Sequence, residues 1–219
     1  MTLGHGERFT DRRAAGRALG ERLLTETLRD PVVLALPRGG VPVGVEVAAA
    51  LDAPLDILVA RKIGAPGRPE LGVGALTADS PPVFDAELLD RLGLHPEALA
   101  ATVELEQAEA RRRVAAFLGD RPSLAVEGRS VIVVDDGLAT GVTARAAVRS
   151  LAVHNPGRIL LAVPVGSRQA VTSLGEEVEV VCLVVPDRFR AVGYHYRDFS
   201  QLGDEDVRAL LRAAWERPR

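Results

Sequence analysis

The 219-residue chain holds one cysteine, one lysine and few aromatic residues (4%), and no stretch of it approaches 18 consecutive apolar positions. Each scarcity excludes something. A single thiol, Cys182, admits neither an internal disulfide nor a thiolate metal cluster, and its place in the run VVCLVV reads as a buried, inert side chain. The four histidines, His5, His95, His154 and His195, have no zinc-like spacing. Without a long apolar run, and with a polar start (Met1–Thr10) that lacks a signal core, the expectation is a soluble, cytoplasmic protein with no membrane partner. A formal charge of −3, and no stripe of cations interleaved with aromatics, argue against nucleic acid. No GxSxG elbow is present to supply a hydrolytic serine. What remains is an ordinary globular balance, 47% hydrophobic and 26% charged, in a length that suits one domain with a sizeable core.

Of the 27 basic residues, 26 are arginine. Lys62 stands out because a compact ammonium on a flexible stem is a common point-charge partner for phosphate, although it can equally be the last accident of a codon bias. The Arg runs, such as 111–113, read as solvated helix faces.

Hydrophobic periodicity predicts a helix from about Asp11, its N-cap, to Arg29, then a strand at Val32–Leu36 broken by Pro37-Arg38-Gly39-Gly40. A helix at Val43–Leu51 and a strand at Asp56–Ala60 follow. Residues 61–74, with four glycines and two prolines, read as a mobile or specially turned loop. Helices are predicted over 85–92 and 96–118, and a strand at Val131–Val134 whose continuous apolar run suits a parallel sheet covered on both faces. Helices at Val142–Leu151, Ser167–Leu174 and Asp204–Ala214 alternate with strands at Ile159–Val163 and Val180–Val185. The alternation spells an α/β fold, a Rossmann-like three-layer sandwich with a mostly parallel central sheet and helices on both faces. Ligands in such sheets lie beyond the carboxyl ends of the strands, so the loops after strands carry the candidates.

The run VIVVDDGLATGVT places Asp135 and Asp136 where a buried strand ends, with Gly137, Thr140, Gly141 and Thr143 leading into a helix. Small residues and the free amides of a helix start suit an anion, and paired carboxylates can accept hydrogen bonds from two neighbouring sugar hydroxyls. A metal site or a pair of capping acids uses the same letters. Arg38-Gly39-Gly40 after the first strand offers a cation beside exposed amides, or an ordinary glycine turn. Arg61 and Lys62 put two cations at the next strand end; Glu70, further on, reads as an acid/base group, a ligand contact or a solvated carboxylate. After the last strand, Val185–Gln201 holds Phe189, Tyr194, Tyr196 and Phe199, four of the chain's eight aromatics, which suit a planar ligand or simply close the core. His195 among them is a candidate hydrogen-bonding group.

Taken together these runs resemble the type I phosphoribosyltransferases. DDGLATGVT is similar to the phosphoribosyl pyrophosphate (PRPP) signature of adenine phosphoribosyltransferases, as is Arg61-Lys62-Ile63-Gly64-Ala65-Pro66-Gly67, and PDRFRAVGY resembles the base-binding tail of hypoxanthine-guanine phosphoribosyltransferases. Over nearly the whole chain, FTDR, LPRGG, RKIGAPGRPE, VDDGLATG and AVGYHYRDF resemble a poorly characterised bacterial phosphoribosyltransferase family. The resemblance implies a single domain over 1–219, with a core at about 30–185, a helical insertion at about 85–118 and a small C-terminal hood at about 186–201. It implies transfer of 5-phosphoribosyl from PRPP to a nitrogenous base with release of pyrophosphate, an oxocarbenium-like displacement at C1 of the purine salvage type. Mg²⁺, bound mainly through PRPP, is the implied cofactor, with no metal-ligating side chains of its own, and a homodimer the implied assembly.

By the same resemblance Asp135, Asp136, Arg61 and Lys62 are catalytic; Gly137, Leu138, Ala139, Thr140, Gly141, Val142 and Thr143 bind the 5-phosphate; Arg38, Gly39 and Gly40, with Arg61 and Lys62, bind pyrophosphate. Phe189, Val192, Tyr194 and His195 form the base pocket. Ala139 stands where purine enzymes carry an acid, which speaks against hypoxanthine or guanine, and Ala65 stands where a second lysine is frequent, with Arg68 the nearest substitute. The alternative is a non-catalytic PRPP- or nucleotide-binding regulator, disfavoured by the absence of a DNA-binding domain.

Overall fold

A computed structural model describes residues 8–119 and 121–217, with the backbone only of Glu70. Five short strands form the central sheet: β1 (Val32–Ala35), β2 (Leu55–Ile57), β6 (Ser130–Val134), β7 (Arg158–Val165) and β8 (Glu179–Val184). Their order is β2-β1-β6-β7-β8, and every neighbouring pair is parallel. Successive residues of β1 and β6 face opposite ways, and both sets are buried. Val33, Ala35, Ile132 and Val134 pack under one helical layer: α1 (Arg12–Leu23), α2 (Gly40–Ala50), α4 (Ala100–Leu118) and α7 (Asp204–Trp215). Val32, Leu34, Val131 and Val133 pack under α5 (Val142–Ala152) and α6 (Arg168–Gly175). The three-layer α/β sandwich expected from the alternation is the observed one.

Asp11 caps α1 by accepting from the Ala14 N–H, as its position predicts, but the helix ends at Leu23, six residues before the expected end. Helix α3 (Ala86–Leu92) is capped by Asp85 and precedes a single 3₁₀ turn (Pro96–Leu99) and α4. A second 3₁₀ turn (Val192–His195) lies in the segment after β8.

Residues 61–74 differ from the expected loop. They form an antiparallel ribbon, β3 (Arg61–Ala65) and β4 (Arg68–Leu76), which β5 (Val83–Phe84) extends to a three-stranded sheet. Ile63, Val73 and Leu76 are fully buried in the core beside α4 and α5. Gly67, at φ +69°, makes the turn; the other glycines permit close packing, since a Cβ on Gly64 would lie 2.6 Å from the Pro69 carbonyl oxygen. Among the described residues, no helix is long and apolar enough to cross a membrane.

Candidate functional site

The chain runs outward from β1 to β2 on one side and from β6 through β7 to β8 on the other, so the sheet's switch point lies between β1 and β6. Two loops meet there, at the carboxyl ends of both strands. After β6 come Asp135 and Asp136; after β1 comes Pro37-Arg38-Gly39-Gly40, with a cis peptide bond between Pro37 and Arg38. The loops touch. A Cβ on Gly39 would lie 2.0 Å from Oδ2 of Asp136, and one on Gly40 would lie 2.5 Å from the Val134 carbonyl oxygen, so only glycine lets this turn lie against the acids.

The two carboxylates are differently held. Asp135 Oδ1 accepts from the Asp136 N–H at 2.8 Å. Asp136 Oδ2 accepts from Nε of Arg12 at 2.8 Å, both side chains being almost buried. Among the described residues this leaves one oxygen of each acid for hydroxyl donors. Burial is the main reason both carboxyls lie above their ordinary range; for Asp135 the charge of Asp136 adds to it, while Arg12 opposes it at Asp136. No local signal in the letters marks Arg12 as part of the site. Tyr196, expected from its aromatic cluster to meet a planar ligand or to close the core, donates its hydroxyl to the Asp136 carbonyl oxygen at 2.6 Å. Arg12 also donates to the Ser200 carbonyl oxygen and lies 3.8 Å over the Phe199 ring, and Tyr196 packs between Phe9 and Phe199.

Residues 137–143 divide in two. Leu138 serves the core: its side chain is buried, its N–H donates to the Val165 carbonyl oxygen, and its carbonyl accepts from Ser167. Gly137 lies under Val192, whose Cγ1 would be 2.7 Å from a Cβ there. Ala139, Thr140, Val142 and Thr143 are exposed, and Gly141 (φ +75°) is the N-cap of α5 with no side chain capping the helix. The N–H groups of that first turn have no intrahelical acceptor and carry the positive end of the helix dipole, which suits an anion.

The expected cations do not gather at one point. Arg38 is half exposed, and the carboxylate it approaches among the described residues is Asp204, at 3.8 Å. Arg61 is bound to Glu106 of α4, with Nε 2.6 Å from Oε2. Adjacent on β3, Arg61 and Lys62 project to opposite faces, and the Lys62 stem lies along Gly72.

In the segment after β8, Phe189 and His195 stack with centroids 5.8 Å apart and an interplanar angle of 15°; Val192 reaches toward Gly137, and Tyr194 is exposed. Burial and the nearby Arg8 hold the His195 imidazole below its ordinary pKa, hence neutral at pH 7. Tyr196 and Phe9, by contrast, are core. His154 is engaged by Ser80, 2.6 Å away, and His95 precedes a 3₁₀ turn; His5 and the Glu70 side chain fall outside the described residues. Burial pushes the Cys182 thiol up to about 11, which keeps it unreactive. No group of three or more His, Cys, Asp or Glu residues among those described is placed to hold a metal.

Residues 7–197 match the family model described as the phosphoribosyl transferase domain. The chain is 43% identical over 207 residues to Rv0571c of Mycobacterium tuberculosis H37Rv, named as a candidate phosphoribosyl transferase; the match covers 94% of this chain and 47% of that protein. The chain thus spans about half the length of that relative. The crystal structure of TT1426 from Thermus thermophilus superposes with a TM-score of 0.88 at 42% identity, covering 93% of this chain and 97% of the other. A Neisseria gonorrhoeae protein solved with bound ppGpp shares the fold at 16% identity, with a TM-score of 0.51 and coverage of 97% and 98%.

Proposed function

Since the chain belongs to the phosphoribosyl transferase domain family, we propose that it transfers 5-phosphoribosyl from PRPP to the ring nitrogen of a nucleobase-like acceptor. The observation that carries this reading is the meeting of the Gly39-Gly40 turn with Asp135 and Asp136 at the switch point of the sheet. The uncommitted oxygens of the acid pair accept the two ribose hydroxyls, and the first turn of α5 receives the 5-phosphate. Held at both ends, the sugar presents C1 to the acceptor. The acceptor nitrogen bonds to C1 as the C1–O bond to pyrophosphate breaks, through an oxocarbenium-like transition state, and the displaced N–H proton leaves to water. The anionic pair beside the ribose favours the positive charge that develops on the ring.

Asp135 and Asp136 keep one uncommitted oxygen each, so an Mg²⁺ would be held mainly by the substrate, with at most these two side chains beside it. Bound there, it supplies charge neutralisation to the leaving group. Phe189, stacked on a neutral His195, offers the acceptor a flat face close to Gly137 through Val192. A homodimer is the proposed assembly, read by light scattering.

The test is pyrophosphate release from PRPP and Mg²⁺ with adenine, guanine, hypoxanthine, xanthine, uracil and orotate, beside a control without base. Release with one base is expected, and loss of it by about a hundredfold or more in the Asp135→Asn/Asp136→Asn variant. Full activity in that variant sinks the assignment; silence with every base in a protein that PRPP stabilises replaces it with a non-catalytic PRPP-binding regulator.

A further inference from the structure

A leaving pyrophosphate is multiply charged, and the ribbon does not bring its two cations to it together. Arg61 is engaged by Glu106, and Lys62 projects from the other face of β3. Beside the β1 turn, however, lies a polar cavity of about 170 Å³ lined by Pro37, Arg38, Arg112, Arg113, Phe117 and Asp204. Three guanidiniums from two elements face one space. Arg111, the third member of the α4 run, turns away and donates to the Ala78 carbonyl oxygen.

Arg112 and Arg113 are oriented by one carboxylate. Glu109 accepts from Nε of Arg112 at 2.7 Å and from its NH2 group at 2.9 Å, and from Nε of Arg113 at 2.8 Å. Each guanidinium carries five N–H donors, so this clamp fixes the two forks while most of their donors remain for another acceptor. The counter-charge at Arg38 is loose, since Asp204 stands at 3.8 Å, beyond hydrogen-bond reach. Three cations against two carboxylates leave a net positive, solvent-open cavity bordered by Pro37 and Arg38, the residues that lead into Gly39. Planar forks are matched to phosphate oxygens.

We propose that this cavity holds the distal phosphate of the pyrophosphate group, so that Arg112 and Arg113 of α4, together with Arg38, bear the leaving group. The proposal rests on the transferase reading. It gives the α4 arginines a ligand.

The test uses calorimetric titration of the full chain with inorganic pyrophosphate and, in parallel, with ribose 5-phosphate, which needs only the α5 site. The Arg112→Ala/Arg113→Ala variant is expected to bind pyrophosphate about tenfold more weakly or worse, with ribose 5-phosphate unchanged within about twofold. Arg91→Ala, which removes an exposed charge on α3, should leave both unchanged. Pyrophosphate affinity equal to the parent's in the double variant, with ribose 5-phosphate still bound, overturns the inference and leaves the transferase reading standing. A parent protein that binds neither ligand overturns both. Should the alanine pair unfold early, Arg112→Lys/Arg113→Lys keeps the stems and the charge but loses the forks. Several-fold weaker pyrophosphate binding is then expected, and equal affinity again overturns the assignment.

Discussion

At Asp136 three remote parts of the chain converge: Arg12 on the carboxylate, Tyr196 on the carbonyl oxygen and Gly39 against the side chain. The acid pair is kept above its ordinary pKa first of all by burial. A carboxyl raised in the folded state favours folding when protonated, an advantage fully present below the unfolded pKa and lost as pH rises through the folded value. Asp135→Asn is therefore expected to raise the melting temperature near pH 8 and to lose that advantage in acid, a difference scanning calorimetry at both pH values will show. On the proposed transferase reading activity has the opposite dependence, because ribose hydroxyls would need ionised acceptors. Turnover should fall away at a pH above the ordinary carboxylate range, and Arg12→Gln, which removes the opposing charge, should move that limb higher still. A rate profile with its acid limb unmoved in Arg12→Gln would deny Arg12 this role. Gly39→Ala is predicted to cost about tenfold or more in turnover, since its Cβ must drive Asp136 off Arg12.

Among the elements, β6 and the turn into α5 were legible because the signals are local: four consecutive apolar residues, two acids, then small residues. The ribbon was not. Its glycines read as looseness, whereas Gly64, Gly72 and Gly74 are where another strand or side chain passes too close for a Cβ. The period-two burial of Ile63 and Ala65, and of Val73 and Ala75, was present in the letters but masked by Pro66, Gly67 and Pro69. Tertiary packing decided between the two readings. Ile63→Ala should accordingly cost about 2–5 kcal/mol in denaturant unfolding, where a loop position would cost about 0.5 kcal/mol or less. The Arg61–Glu106 pair is another case: the residue type was legible, but its partner, 45 positions away, was not.

Across the whole molecule, the start of the described chain is tied to the segment after β8. Phe9 donates to the His195 carbonyl oxygen and accepts from the Arg197 N–H, and Thr10 accepts from Asp198. Contacts of such separation leave no periodic trace, so the runs FTDR and YRDF were visible only as a family likeness, and their meeting at Asp136 only in three dimensions. Hydrogen exchange should find the amides of Phe9, Arg197 and Asp198 opening in one step, and Phe9→Ala should speed all three together. The ribbon also gives the folded molecule an unusual chemical simplicity. With arginine at every other cationic position, Lys62 on β3 is the single side-chain amine. An amine-directed acylating reagent therefore has one address in the fold apart from the α-amino group, and the ribbon comes with a unique handle for a reporter dye.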